Sequence, residues 1–120
     1  YLSDVKTGKL ITHVGSVSNE ANAQTLQGYL HKEFKQIDVA VASLGGWHQG
    51  FPIYNYPVAE WDRILNDNLT AHFFAIKSLV PLLNPTNGHY VHINGFSADE
   101  QYPMAGPVSM TAAAQKSLIL

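Results

Sequence analysis

Cysteine is missing from all 120 residues, which excludes disulfides and thiolate metal sites. Charge is scarce as well: Asp, Glu, Lys and Arg make up 13% of the chain, against about 25% in an ordinary soluble domain. Their near balance leaves a net charge of −2. No run of five basic residues occurs, so neither a nucleic-acid footprint nor a polybasic membrane patch is expected. No apolar stretch approaches the roughly 18 residues of a membrane-spanning helix. The opening Tyr1-Leu2-Ser3-Asp4-Val5-Lys6 lacks the basic flank and apolar run of a secretory signal, and a cytoplasmic protein is expected. Also absent are a G-x-x-x-x-G-K-[ST] loop and a G-x-S-x-G elbow. There is no initiator Met, and the chain stops at Leu118-Ile119-Leu120 inside an apolar helical pattern. It is therefore expected to be part of something longer.

What is present is 46% hydrophobic, enough for one domain with one core. Leu10-Ile11-Thr12-His13-Val14, stopped by Gly15, has strand composition. Ser18 is the expected cap of a helix running to about Phe34 on the Ala23, Leu26 and Leu30 face. Ile37–Leu44 is apolar almost throughout and closes at Gly45-Gly46, which suits a parallel strand covered on both faces. An aromatic loop from Trp47 to Pro57 follows. A long helix then runs from about Val58 to Leu83, with Leu65, Leu69, Phe73, Ile76 and Val80 as the stripe expected to face a sheet. Its second face carries Ala71, Phe74, Ala75, Ser78 and Leu82. His89–Asn94 is a third strand, and Pro107 suits the first turn of a last helix. The alternation β-α-β-α-β-α predicts α/β architecture with an open parallel sheet in a single domain over residues 1–120.

Six histidines raise the question of a metal. His89 and His92 are three apart in a strand and so point to opposite faces. His13, His31, His48 and His72 have no ligand spacing, and no metal site is expected. Gly45-Gly46 ends a strand as a phosphate turn would, and equally as any tight turn would.

The order and spacing of the pieces carry more information than any one of them. A strand led by Ile37-Asp38-Val39 ends at Leu44-Gly45-Gly46, and Glu60-Trp61-Asp62 opens a helix containing Asp67-Asn68-Leu69-Thr70. A strand, a gap and Gly106-Pro107 before an Ala-rich helix follow. From about Lys9 to Leu120 the chain resembles the short-chain dehydrogenase/reductase family, a Rossmann-type group that uses NAD or NADP. The resemblance implies a doubly wound parallel sheet, here partial because the N-terminal glycine-rich βα part is absent. It places Ala42-Ser43-Leu44-Gly45 at the family's N-N-A-G segment beside the cofactor, and Ser16 where the family usually has the Asp that touches adenine. It places Asn68, within Asn68-Leu69 and followed by Phe73, at the proton-relay asparagine.

Departures from the family pattern fall on the reactive positions. Gly95 occupies the place of the catalytic Ser. Thirteen residues on, Val108 stands for the Tyr, and four later Ala112 stands for the Lys. In the family the Tyr donates a proton to the carbonyl, and the Lys lowers its pKa and holds the nicotinamide ribose, so cofactor binding by this chain is in doubt. Ser97, Tyr102, His92 and Asn94 are the groups expected within reach of the same cleft. Three readings stay open: an NAD(P)-dependent oxidoreductase with a displaced donor, a non-catalytic relative serving as a binding or oligomerisation module, and an excised piece without a function of its own. Self-association is expected through the helices at 60–83 and 107–120, where the family commonly forms a four-helix contact. The substrate, if any, is a small molecule that the sequence does not identify.

Overall fold

Regular structure begins where a side chain can satisfy free backbone donors. In the computed structural model, which describes residues 8–119, Asn19 is extended and its Oδ1 accepts the Asn22 amide at 2.9 Å. This caps helix α1, Glu20–Glu33. The cap falls on Asn19 and not on Ser18, whose backbone amide is taken by Ser16 Oγ at 3.1 Å. The chain continues through β1 (Val39–Ala42), α2 (Val58–Leu65), a π turn (Asn66–Thr70), α3 (Ala71–Leu83), β2 (His89–His92) and α4 (Gly106–Leu118). Pro107 lies in the first turn of α4 as expected, while Leu120 lies outside the described residues. Among the described residues no helix is long and apolar enough to cross a membrane.

β1 and β2 pair in parallel, Val39 opposite His89 and Ala42 opposite His92. The ladder continues at both ends, His89 N–H donating to Asp38 O at 2.8 Å and Ile93 N–H to Ala42 O at 2.9 Å. Parallel neighbours need a crossover, and α2, the π turn and α3 supply it. Gly88 makes the return possible. A Cβ there would lie 2.5 Å from Asp38 O, so any other residue would push the strands apart. Thr86 Oγ1 closes the same corner with hydrogen bonds to Ile37 O at 2.7 Å and Leu83 O at 3.0 Å.

Leu10–Val14 does not form the expected strand. Among the described residues no strand lies beside it, and an unpaired β-run must leave its ladder groups to water. Val14 is almost fully exposed, and His13 stacks on Tyr29 of α1 with ring centroids 4.0 Å apart. β1 is likewise covered on one face among the described residues, not two. Its inward residues Ala40 and Ala42 are buried, whereas Val39, Val41, Val91 and Ile93 on the other face are 44–58% exposed.

The crossover helix presents a different face from the one its large residues suggested. Ile64, Asn68, Ala71, His72, Ala75, Ser78 and Leu83 are buried, whereas Phe73 of the Leu65–Val80 stripe is 48% exposed. Two physical reasons select the small and polar face. Alanines at positions 71 and 75 let the helix approach strands that themselves carry alanine. The polar members His72 and Asn68 find partners on that side, on the loop after β1, and Ser78 Oγ is satisfied within the helix by Phe74 O at 2.7 Å. α1 packs against α3, joined by Gln27 Nε2 donating to Ser78 O at 3.1 Å and by the Lys77–Glu20 pair at 2.5 Å.

A Gly88→Ala variant is expected to lose about 1–3 kcal/mol of stability through overpacking against Asp38. Urea denaturation followed by far-UV circular dichroism measures it, and an unchanged midpoint would contradict the close approach.

Candidate functional site

β1 ends in Ser43-Leu44-Gly45-Gly46, and the turn there is shaped for one side chain. Gly45 has φ of +93°, a left-handed conformation open to glycine, and a Cβ on it would meet Asn68 Oδ1 at 2.5 Å. Asn68 uses that space to bind Gly46 twice. Its Oδ1 accepts the Gly46 amide at 2.8 Å and its Nδ2 donates to Gly46 O at 3.0 Å. Asn68 sits in the middle of the π turn, where i→i+5 bonding replaces the α ladder. Its own carbonyl accepts Gln115 Nε2 from α4.

Above this turn lies a cleft of about 290 Å³. Asn68, Gly95, Val108 and Ala112, four residues spread over 45 positions of sequence, all line it, with Ser43, Leu44, Gly45, Trp47, Asn94, Ser97 and Gln115. Ala42 is buried beneath the cleft. Ser16 is drawn to the same loop from the other side, bordering with Leu44, Gly45, Arg63 and Asp67 a hollow of about 340 Å³. Of the four groups expected within reach of the cleft, Ser97 and Asn94 line it. Asn94 is spent on packing, its Nδ2 donating to Ala112 O at 2.8 Å. Tyr102 packs edge-on against Trp47 and Phe96, at centroid distances of 5.2 and 5.6 Å. His92 is bonded to Gln115 and is not among the lining residues.

A pair of histidines lies behind the cleft wall, and sequence spacing did not signal it. His72 is fully buried and its Nε2–H donates to Leu44 O at 3.2 Å. His92 Nε2–H donates to Gln115 Oε1 at 3.0 Å. The two rings are 4.2 Å apart, and both Nδ1 atoms are buried without a partner. The available signal was inward placement: His92 follows Tyr90 on the inner face of β2, and His72 is one helical turn beyond Asn68. Among the described residues no three His, Asp or Glu side chains gather as a metal site.

Burial first, and the neighbouring His92 second, push the His72 imidazole below its ordinary 6.5, against the opposing effect of the Leu44 hydrogen bond. The unfolded chain therefore takes up the proton first as pH falls. Stability from this site is complete above the ordinary value and declines as pH falls toward the lowered folded value. His72→Leu is expected to flatten the loss of unfolding free energy between about pH 7 and pH 5. Denaturant titrations at the two pH values measure this, and an equal loss in both proteins would assign the decline to other groups.

The chain matches the family model described as Enoyl-(Acyl carrier protein) reductase over residues 4–119. It is 34% identical over 68 residues to the rhamnolipids biosynthesis 3-oxoacyl-[acyl-carrier-protein] reductase of Pseudomonas aeruginosa, a match covering 56% of this chain and 26% of that protein. The fold is similar to that of Thermoplasma acidophilum aldohexose dehydrogenase, with a TM-score of 0.80 and 23% identity over 96% of this chain and 45% of the other. It is also similar to a short chain dehydrogenases/reductase from Saccharomyces cerevisiae, with a TM-score of 0.78 and 20% identity over 88% and 42% of the two chains. The chain thus spans under half the length of each of these proteins. Its parallel sheet, its crossover and the match over nearly every residue agree, and the chain belongs to the short-chain dehydrogenase/reductase family.

Proposed function

We propose that this chain is a non-catalytic member of its family, acting as a binding and pairing module. One observation carries the reading. None of the side chains lining the cleft among the described residues is a proton donor that titrates near neutral pH. Carbonyl reduction requires a proton at the developing alkoxide, and loss of a general acid costs about 10²–10⁴ in rate. Val108 and Ala112 supply neither proton nor charge. Lys116 of α4 is engaged with Asp99, and Asn68, at the relay position in the resemblance, has its amide engaged with Gly46 and its carbonyl with Gln115.

NAD or NADP is the cofactor the family implies, and the residues present fit it in part. The hollow bordered by Ser16, Leu44 and Gly45 has the place and polarity for an adenosine end. A nicotinamide end would face Val108 and Ala112, whose side chains offer no hydrogen bond to a ribose. The sequence also has no glycine-rich phosphate turn after a strand. The described residues therefore do not make a complete dinucleotide site.

The natural protein supplied with NADPH and a simple ketone is expected to show no oxidation above background. Turnover of about 1 s⁻¹ or more, the low end of ordinary enzymes, would overturn the reading and favour the oxidoreductase with a displaced donor.

Pairing is assigned to α3 and α4. Leu69, Thr70, Phe73, Ala114, Ser117 and Leu118 line an apolar groove of about 460 Å³ between them. Uncovered apolar surface of this kind favours a second copy, and a twofold contact sets the groove against itself. With the helix turned as described above, the residue at the centre is Phe73. Phe73→Glu is expected to halve the mass in sedimentation equilibrium, and a wild-type protein already monomeric at high concentration would remove the proposal.

A further inference from the structure

We infer that His72 and His92 form a proton-sensing latch, which stays closed with one proton and opens at the second, releasing Gln115 of α4 from β2. The inference starts from the tautomers that the neighbours impose. Leu44 O can only accept, so His72 Nε2 carries its hydrogen toward it, at 3.2 Å. Gln115 has its Nε2 committed to the Asn68 carbonyl, which leaves Oε1 to accept from His92 Nε2 at 3.0 Å. Both neutral rings are therefore Nε2–H imidazoles, and each Nδ1 holds a lone pair. Both Nδ1 atoms are buried without a partner, in rings whose centroids are 4.2 Å apart.

The neutral pair thus leaves two buried acceptors with no donor. One proton turns one acceptor into a donor, next to a ring that still offers a lone pair. A second proton leaves two buried donors with no acceptor and sets like charges 4.2 Å apart. Nothing around the pair offsets that charge, since no Asp, Glu, Lys or Arg is buried among the described residues. β1 brings Ala40 and Ala42 to this face, and the loop after it brings Leu44. The π turn and α4 bring the uncharged Asn68 and Gln115. Tyr90 of β2 has a sealed hydroxyl, and burial raises its phenol above the ordinary value. The charges of the surrounding helices pair at the surface, Glu20 with Lys77, Arg63 with Glu60 and Asp67, and Lys116 with Asp99. The ring that yields is His92, half-buried at the end of β2, because His72 is sealed within α3. Its departure frees Gln115 Oε1, and Asn94 Nδ2 on Ala112 O remains to hold α4 to the chain after β2.

Nuclear magnetic resonance on the full isotope-labelled chain, titrated from about pH 8 to pH 4, tests the latch. The imidazole nitrogen shifts at the alkaline end should show both rings as Nε2–H tautomers. The pair should then titrate in two steps more than about one pH unit apart. Hydrogen exchange corrected for intrinsic rates should show α4 losing protection relative to α1 with the second step. The expected loss is about three- to tenfold, the range for one neutral hydrogen bond. His72→Gln keeps a donor for Leu44 O but takes no proton, so His92 should titrate in one step with α4 still protected. His92→Gln makes the same test from the half-buried ring, and there too α4 should show no acid loosening relative to α1. An Nδ1–H tautomer on either neutral ring would overturn the latch. So would α4 protection that follows α1 at every pH, or a loosening of α4 that survives both substitutions.

Discussion

Two hydrogen bonds between the Asn68 amide and the Gly46 peptide join the helical layer to the end of the sheet, and much else is arranged around them. They require Gly45 in the left-handed region, because a side chain there would fill the space Asn68 occupies. They lie at a π turn, whose backbone presents the Asn68 carbonyl to Gln115 across the interface with α4. A buried amide left unpaired costs about 1–3 kcal/mol, so each member of this set is held by the others. The cleft owes its shape to the same contacts, since Gly45, Gly46, Asn68 and Gln115 all line it.

The core formed in this way is small-residued and partly polar. Ala40, Ala42, Ala71, Ala75 and Ala112 bury alongside Asn68, His72, Ser78 and Gln115. Alanine permits close approach, and close approach brings polar side chains to backbone partners on neighbouring elements. Ile64, Leu83 and Val108 are buried with them, while other large apolar residues lie outside, on the Val39–Val41–Val91–Ile93 sheet face and along the α3–α4 groove. Those surfaces have the chemistry of an interior without being one among the described residues.

Within the cleft, Val108 and Ala112 present hydrocarbon. The titratable groups nearby, His72 and His92, are turned to Leu44 and Gln115. They bear on stability and on the wall behind the cleft.

Much of the architecture was legible in the residues. The apolar run at Ile37–Leu44, the stop ending at Gly88 and the strand read at His89–Asn94 determined a parallel pair with a helical crossover, formed by Val39–Ala42 and His89–His92, because hydrophobic period and turn chemistry are local properties. The family resemblance singled out Asn68, Gly95, Val108 and Ala112, and these four residues line one cleft. Local pattern failed where a choice depended on neighbours. A strand at Leu10–Val14 needs an adjacent ladder, and the described residues offer none. The face of the long helix was ambiguous because it is apolar on two sides, and the sheet chose the side with small residues and satisfied polar groups. The His72–His92 pair, the Gln115 bridge and the hydroxyl of Ser97 beside Gly95 join residues 2 to 47 positions apart. No periodicity encodes such meetings. They exist because packing distance, and not sequence distance, decides which polar groups must answer one another once water is gone.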